Sequence, residues 1–542
     1  MNSMFSFLNR GLGYLGSKSH SVWLAVITLI MLTVQVQWGL WRSLDLPTID
    51  ESWALVDGLR LARGDESTAI QLWNSPLYPI LYSVTARLFT TLEATFYAQR
   101  LLLTILAVLA LYALLARLLP SRVAWVGAAW YAVSAILVDL NFDRSDYLAA
   151  AILVWFSLSV ADPHSPKRML IALTIGCISA FFRPEYWLYV IGLLFVWSTY
   201  GLLRPDPITL RRRIPLALMV WVLGFISIGI AGVAVLARYP VVSDYFVWVF
   251  ANNRATNLDG PGWVAPLWVL YERDYGPDRT ILGIISHQNA LLNDIKQNAI
   301  LSLTLFKRLS TETTWGPVYL RAWRWVAGII LLASAGVWAM FRHDPSYWTK
   351  YWQQRARFWY LLAALLPLLI SVLVLRPIPI LTIVFAPLII APILIMLAAL
   401  LRPFLSRQSL LFVGLIFFIL LLSPNPRDFQ GVQPVRGMVD YFMTAPTVSD
   451  ELHLLGDMAI TICPYLQLKG QPCLATRWTD EEGVYAIDNY LSKNEYDFLL
   501  VSSGMVYEES HEPSLNLIVN GQDNRWRRAA VFGDTIIFEY IG

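Results

Sequence analysis

The sequence predicts a polytopic α-helical membrane protein of about eleven transmembrane helices, followed by a small exoplasmic α/β domain. Three observations carry this. First, 57% of the 542 residues are hydrophobic and 15% are charged, with a mean hydropathy of +0.53; in soluble domains roughly a quarter of residues are charged. Second, apolar stretches suited to the ~30 Å hydrocarbon core recur near 21–41, 98–116, 123–139, 147–161, 169–182, 186–203, 214–237, 323–341, 358–375, 378–401 and 409–423. Third, if every stretch crosses, the basic residues fall on one side: Arg10 and Lys18, Arg117 and Arg122, Lys167 and Arg168, Arg204 with Arg211 to Arg213, Arg342 with Lys350, Arg355 and Arg357, then Arg402 and Arg407. The positive-inside rule makes that side cytoplasmic. The N-terminus is then inside and the C-terminal domain outside, in a multi-pass protein of the cell membrane. The net charge of +3 is divided among short loops, a distribution that gives no basic patch for nucleic acid.

This topology divides the chain into a transmembrane part, 1–423, with exoplasmic loops 43–97 and 238–322, and a soluble exoplasmic part, 424–542. The first span lacks a small-residue cleavage site and reads as an uncleaved signal anchor. A Gly11-x-Gly13-x-x-Gly16 spacing precedes it, but no strand leads into these glycines and no βαβ unit surrounds them, so the dinucleotide reading fails.

Just beyond the first span lies an acidic pair, Asp50-Glu51. Adjacent carboxylates beside a membrane helix are costly to desolvate, which points to chemistry at the membrane surface. After them Trp53, Ala54, Leu55, Leu59, Leu61 and Ala62 recur at helical spacing with Asp57, Arg60 and Arg63 between them, the pattern of an interfacial amphipathic helix ended by Gly64. The stretch Pro76 to Phe89 is apolar but short and reads as a second interfacial helix, because a crossing there would break the charge alternation.

Taken together, the first span, the acidic pair with its Ser52-Trp53-Ala54 helix, the Ser75-Pro-Leu-Tyr78 segment and Gln99-Arg100-Leu-Leu at the second span resemble the GT-C membrane glycosyltransferases. The members most similar are the protein O-mannosyltransferases and the lipid A aminoarabinose transferases. The resemblance covers roughly the first 200 residues. It implies a GT-C-like architecture, a sugar donor carried on polyprenyl phosphate, a membrane lipid, and a catalytic acid in the first loop. Carried to this chain, that acid is Asp50, with Glu51 beside it.

The chemistry suits these residues independently. Inverting transfer to a hydroxyl needs one carboxylate as general base, and a phosphate leaving group needs cationic stabilisation more than a proton. A glycosidase would need two separated carboxylates. Asp50 is expected as the base and Glu51 in an orienting or acceptor-binding role, and the two assignments are exchangeable. The expected acceptor is a glycan, lipid or protein hydroxyl. Two further clusters lie on the same side: Asp143-Arg144-Ser145-Asp146-Tyr147 and Arg183-Pro184-Glu185. Arg144, Arg183 and Arg376 are expected to meet donor phosphate through their guanidinium forks, with Asp143, Asp146 and Glu185 on the substrate. The competing reading for each arginine is a helix-end ion pair, Arg144 with Asp146 or Arg183 with Glu185.

In the second long loop, Ser286 to Asn298 is polar on one side and apolar on the other and runs into Ile300 to Phe306, an interfacial helix placed to cover the site. His287 is a candidate acceptor or phosphate contact, set against an incidental surface histidine. No His, Cys or Asp spacing approaches a metal site. The acidic run Tyr271 to Asp278 leaves a divalent ion open.

Beyond 424, runs at Met458–Cys463, Phe498–Ser502 and Thr535–Tyr540 read as strands, Glu481–Leu491 as a helix, and Phe532-Gly533-Asp534 as a turn. Cys463 and Cys473 would face an oxidising compartment, where a disulfide is expected to persist, though spacing alone cannot establish the geometry. A transporter or flippase of lipid-linked sugars is the alternative function. It would show inverted repeats and interrupted helices at mid-membrane, which the sequence lacks.

Overall fold

The computed structural model describes residues 18–41, 45–46, 49–64, 77–89, 91–133, 145–203, 247, 250–251, 267–311, 345–374, 384–401, 434–444, 451–476, 491, 496–502, 513–533 and 535–541. The long helices are α1 (Lys18–Trp41), α4 (Leu92–Leu118), α5 (Ser121–Val133), α6 (Ser145–Val160), α7 (Pro166–Phe182) and α8 (Trp187–Leu203). Two short helices, α2 (Ile49–Arg63) and α3 (Leu77–Ala86), stand between α1 and α4 as the apolar periodicity predicts. Then come α9 (Leu267–Tyr275), α10 (Ile281–Ser286), α11 (Gln288–Thr311), α12 (Pro345–Leu361), α13 (Leu366–Val374) and α14 (Ala386–Leu401).

The helix ends follow local chemistry. Thr91 Oγ1 accepts from the Ala94 N–H at 3.2 Å to open α4, and Ser165 with Pro166 at the first helical position opens α7. Gly64, at φ 78°, ends α2 in a conformation costly for a residue with a Cβ. Packing then brings distant helices together: α6 lies against α4 and α7, α2 against α3, and α8 against α13. At Gly58 on α2 a Cβ would lie 2.3 Å from Tyr82 Cβ and 2.9 Å from the Pro79 carbonyl oxygen, so only glycine lets α2 and α3 approach this closely. Trp155 on α6 donates its indole N–H to the Val384 carbonyl at 2.9 Å, tying the later helices to the first bundle.

Among the described residues two helical stretches, Leu92–Leu118 and Trp348–Val372, are long and apolar enough to cross a membrane. The stretches expected near 214–237, 323–341 and 409–423 lie outside the described residues. The helix expected over 358–375 starts earlier, at Pro345, and runs through a 3-10 turn at Leu362–Leu365 into α13. Its third and fourth turns carry Arg355 and Arg357, whose guanidiniums lie 4.9 Å from the Tyr351 ring centre and 4.7 Å from that of Phe358. Aromatic faces on the helix thus shelter charges that periodicity alone assigns to a loop.

The C-terminal part is an α/β module of α15 (Pro434–Thr444), β1 (Leu452–Leu455), α16 (Asp457–Leu468), β2 (Cys473–Thr476), β3 (Phe498–Ser502), α17 (Pro513–Val519), β4 (Trp526–Phe532) and β5 (Thr535–Tyr540). The sheet order is β2-β1-β3-β5-β4, with β1 parallel to β2 and β3, and β5 antiparallel to β3 and β4. Strands at Phe498–Ser502 and Thr535–Tyr540 agree with the sequence reading, as does a turn at Gly533, at φ 62°. The run Met458–Cys463 is helical, not extended. Its Ala459, Ile462, Cys463 and Leu466 all point into the core at helical spacing, and the strand that pairs with β2 and β3 is the preceding Leu452–Leu455. Of the helix expected over Glu481–Leu491 only Leu491 is described, and it is helical. Cys463 and Cys473 form a disulfide across 5.4 Å between Cα atoms, joining α16 to β2.

Candidate active site

Glu51, on the first turn of α2, is 1% exposed. Its Oε1 accepts from the hydroxyls of Tyr78 at 2.6 Å and Tyr82 at 2.5 Å, and its Oε2 from the Ser145 backbone N–H at 2.9 Å. Tyr78 and Tyr82 stand one turn apart on α3 with ring centres 5.1 Å from each other, so one helix face presents both hydroxyls to one oxygen. Ser145 begins α6, and its N–H is one of the donors a helix start leaves without an intrahelical partner. Burial pushes the Glu51 carboxyl up to about 7; the three donors oppose this and the nearby Asp146 charge adds to it. The same burial, reinforced by Glu51, raises both tyrosines well above their ordinary range, so they remain protonated donors.

Beside this cluster lies Arg183, which caps the end of α7. Its guanidinium contacts Asp146 at 3.1 Å and Glu185 at 2.9 Å, sits 3.8 Å from the Tyr147 ring centre and bonds the Tyr147 hydroxyl. Asp146, Arg183 and Glu185 are each at least nine-tenths buried. The Arg183–Glu185 pair is the helix-end ion pair the sequence offered, and Asp146 makes it a triad. A buried guanidinium between two carboxylates is held in orientation from both sides, and its loss would strand both acidic charges.

Asp50 lies next to Glu51 at the start of α2, where the helix dipole favours a carboxylate; its side chain is outside the described residues. Asp143, Arg144 and Arg376 are outside them as well. His287 is exposed at the joint of α10 and α11, its Nδ1 2.9 Å from the Gly283 carbonyl oxygen and its ring 5.9 Å from that of Tyr275. It borders a separate apolar cluster that includes Tyr271 and Tyr275. In the acidic run of α9, Glu272 pairs with Arg279 at 2.7 Å and Asp274 with Arg273 at 3.0 Å. Among the described residues no three His, Cys, Asp or Glu side chains gather as a metal site would require.

Sequence reasoning missed Tyr78 and Tyr82. Their i, i+4 spacing in the short helix was the available signal. It also missed the C-terminal module's approach to the site. Asp45, between α1 and α2, accepts the N–H groups of Val435 at 2.6 Å and Arg436 at 3.0 Å, capping α15 from 390 residues away. Arg60 of α2 donates to Gln467 Oε1 of α16 at 2.8 Å. Tyr465 of α16 is fully buried and interacts electrostatically with Glu51, Asp45 and Glu93.

No family model matches this sequence, and no curated protein does. Solved structures do match. The oligosaccharyltransferase AglB from Archaeoglobus fulgidus, in complex with an inhibitory peptide and a dolichol-phosphate, is 12% identical with a TM-score of 0.50, over 90% of this chain and 70% of that one. The same species' oligosaccharyltransferase tethered to an acceptor peptide containing the NVT sequon is 11% identical with a TM-score of 0.50, over 95% and 74%. ArnT from Cupriavidus metallidurans bound to undecaprenyl phosphate is 14% identical with a TM-score of 0.46, over 96% and 98%. Over the matched residues the chain shares the fold of that archaeal oligosaccharyltransferase.

Proposed function

We propose that the protein is a multi-pass membrane glycosyltransferase that moves a sugar from a polyprenyl-phosphate donor to a hydroxyl of an exoplasmic glycan, lipid or protein, with inversion at the anomeric carbon. The acceptor oxygen attacks that carbon, the bond from carbon to phosphate oxygen breaks, polyprenyl phosphate leaves with the electron pair, and the hydroxyl proton passes to Asp50. The observation that carries this reading is the buried Glu51 carboxylate with both oxygens occupied by protein donors. A group so enclosed orients its surroundings, and it leaves the adjacent Asp50 to meet the acceptor. Arg183, pre-oriented by Asp146 and Glu185, joins Arg144 and Arg376 in meeting donor phosphate. His287 is assigned to the acceptor side. The C-terminal module lies on the exoplasmic face with these groups.

Purified protein reconstituted with a synthetic polyprenyl-phosphate sugar and a pool of acceptors tests this. Wild type is expected to form glycoside, and Asp50→Asn to lose about 10²–10⁴-fold in turnover with donor binding retained, the usual cost of a lost general base. Transfer at the wild-type rate by Asp50→Asn removes Asp50 from the mechanism. Passage of donor across vesicles with no glycoside formed replaces the transferase by a flippase.

A further inference from the structure

The end of the bundle opposite Glu51 holds a second cluster of charge. Arg117 closes α4, Asp162 follows α6, Arg168 begins α7 and Arg357 lies on α12. Glu51 accepts from Ser145 at the other end of α6, and α6, at 16 residues, separates the two clusters by about 24 Å.

Three guanidiniums here share one carboxylate. Arg168 lies 3.6 Å and Arg357 3.9 Å from Asp162, and Arg117 interacts electrostatically with Asp162, Arg168 and Arg357. Both distances exceed the ~2.7–2.9 Å of a charge-assisted hydrogen bond, so Asp162 commits neither fork. The guanidiniums of Arg117 and Arg357 also lie over the same Phe358 ring, at 5.0 and 4.7 Å from its centre. The buried Nε atoms of Arg355 and Arg357 have no hydrogen-bond partner among the described residues. Among the described residues, three cations against one anion leave about two positive charges without compensation at the edge of a low-dielectric bundle, where like charges repel strongly.

Apolar surface adjoins this charge. Phe156 on α6, Ile171 on α7 and Trp352 on α12 are each more than 40% exposed, within about two turns of the cluster. We propose that this end of the bundle binds the headgroup phosphate of an anionic phospholipid in the cytoplasmic leaflet, with Arg117, Arg168 and Arg357 on the phosphate and an acyl chain along the exposed apolar residues. An arginine cluster between helices at that face suits a lipid phosphate, and the adjoining apolar surface selects a lipid over a soluble anion.

Native mass spectrometry of the full-length protein, stripped of lipid and offered phosphatidylglycerol or phosphatidylcholine of equal chain length, tests this. Phosphatidylglycerol is expected to be retained at least tenfold more strongly. The double variant Arg168→Gln with Arg357→Gln is expected to weaken it roughly 25-fold, about fivefold for each charge near the surface, and the Arg→Lys pair to keep most of the binding. Inorganic phosphate at millimolar concentration is expected not to displace it. Equal retention of the two lipids, unchanged binding by the Gln pair, or full displacement by inorganic phosphate overturns the proposal. If the Gln pair fails to fold, the wild-type lipid comparison, the Lys pair and the phosphate competition still decide it.

Discussion

Glu51→Gln replaces a carboxyl that folding buries completely and holds at about 7, against an ordinary value of 4.5. Between those two pH values the native state binds more protons at this position than the unfolded chain does, so stability falls as pH rises. The contribution is fully present below about 4.5 and lost above about 7. At ~1.4 kcal/mol per pH unit, the interval between 4.5 and about 7 amounts to roughly 3–4 kcal/mol. Glutamine does not titrate, so the variant escapes this loss. It keeps a carbonyl oxygen for Tyr78 and Tyr82 but sets an amide N–H₂ against the Ser145 N–H, at a cost of about 1–3 kcal/mol for the unmet donors. The variant is therefore expected to be the less stable protein near pH 5 and to match or exceed wild type near pH 8. Unfolding in detergent at several values from pH 5 to 8, both proteins side by side, measures this. Parallel profiles for the two would show that Glu51 is not the group that titrates, and the account of its burial would fail.

Arg183→Gln leaves Asp146 and Glu185 buried without their cation and should destabilise the protein by about 3–5 kcal/mol; adding Glu185→Gln should restore part of that, read by the same unfolding assay. Gly58→Ala places a Cβ 2.3 Å from Tyr82 Cβ, an overpacking worth about 1–3 kcal/mol that should also displace the Tyr82 hydroxyl and flatten the Glu51 pH profile. Asp45→Ala removes both caps of α15, which should cost about 1–2 kcal/mol and raise amide hydrogen exchange at Val435 to Met438.

Composition and periodicity alone settled the helical class, the helix ended by Gly64, the strands at Phe498–Ser502 and Thr535–Tyr540, and the place of an acidic pair after the first long helix. These are local properties: a hydropathy sum, a 3.6- or 2-residue repeat, a turn residue. The strand expected at Met458–Cys463 shows the limit, because a short apolar run fits a buried strand and a buried helix equally, and only the pairing of Leu452–Leu455 with its neighbours decided between them. The site had the same limit. Asp50 and Glu51 are adjacent in sequence and alike in charge, so nothing local distinguishes them. Burial came from partners 27, 31 and 94 residues away, Tyr78, Tyr82 and Ser145. The same holds for Asp45 beneath α15 and for the three arginines around Asp162. A carboxyl's proton affinity and an arginine's counter-charge depend on which remote segments the fold packs beside them, and that is a property of the tertiary structure.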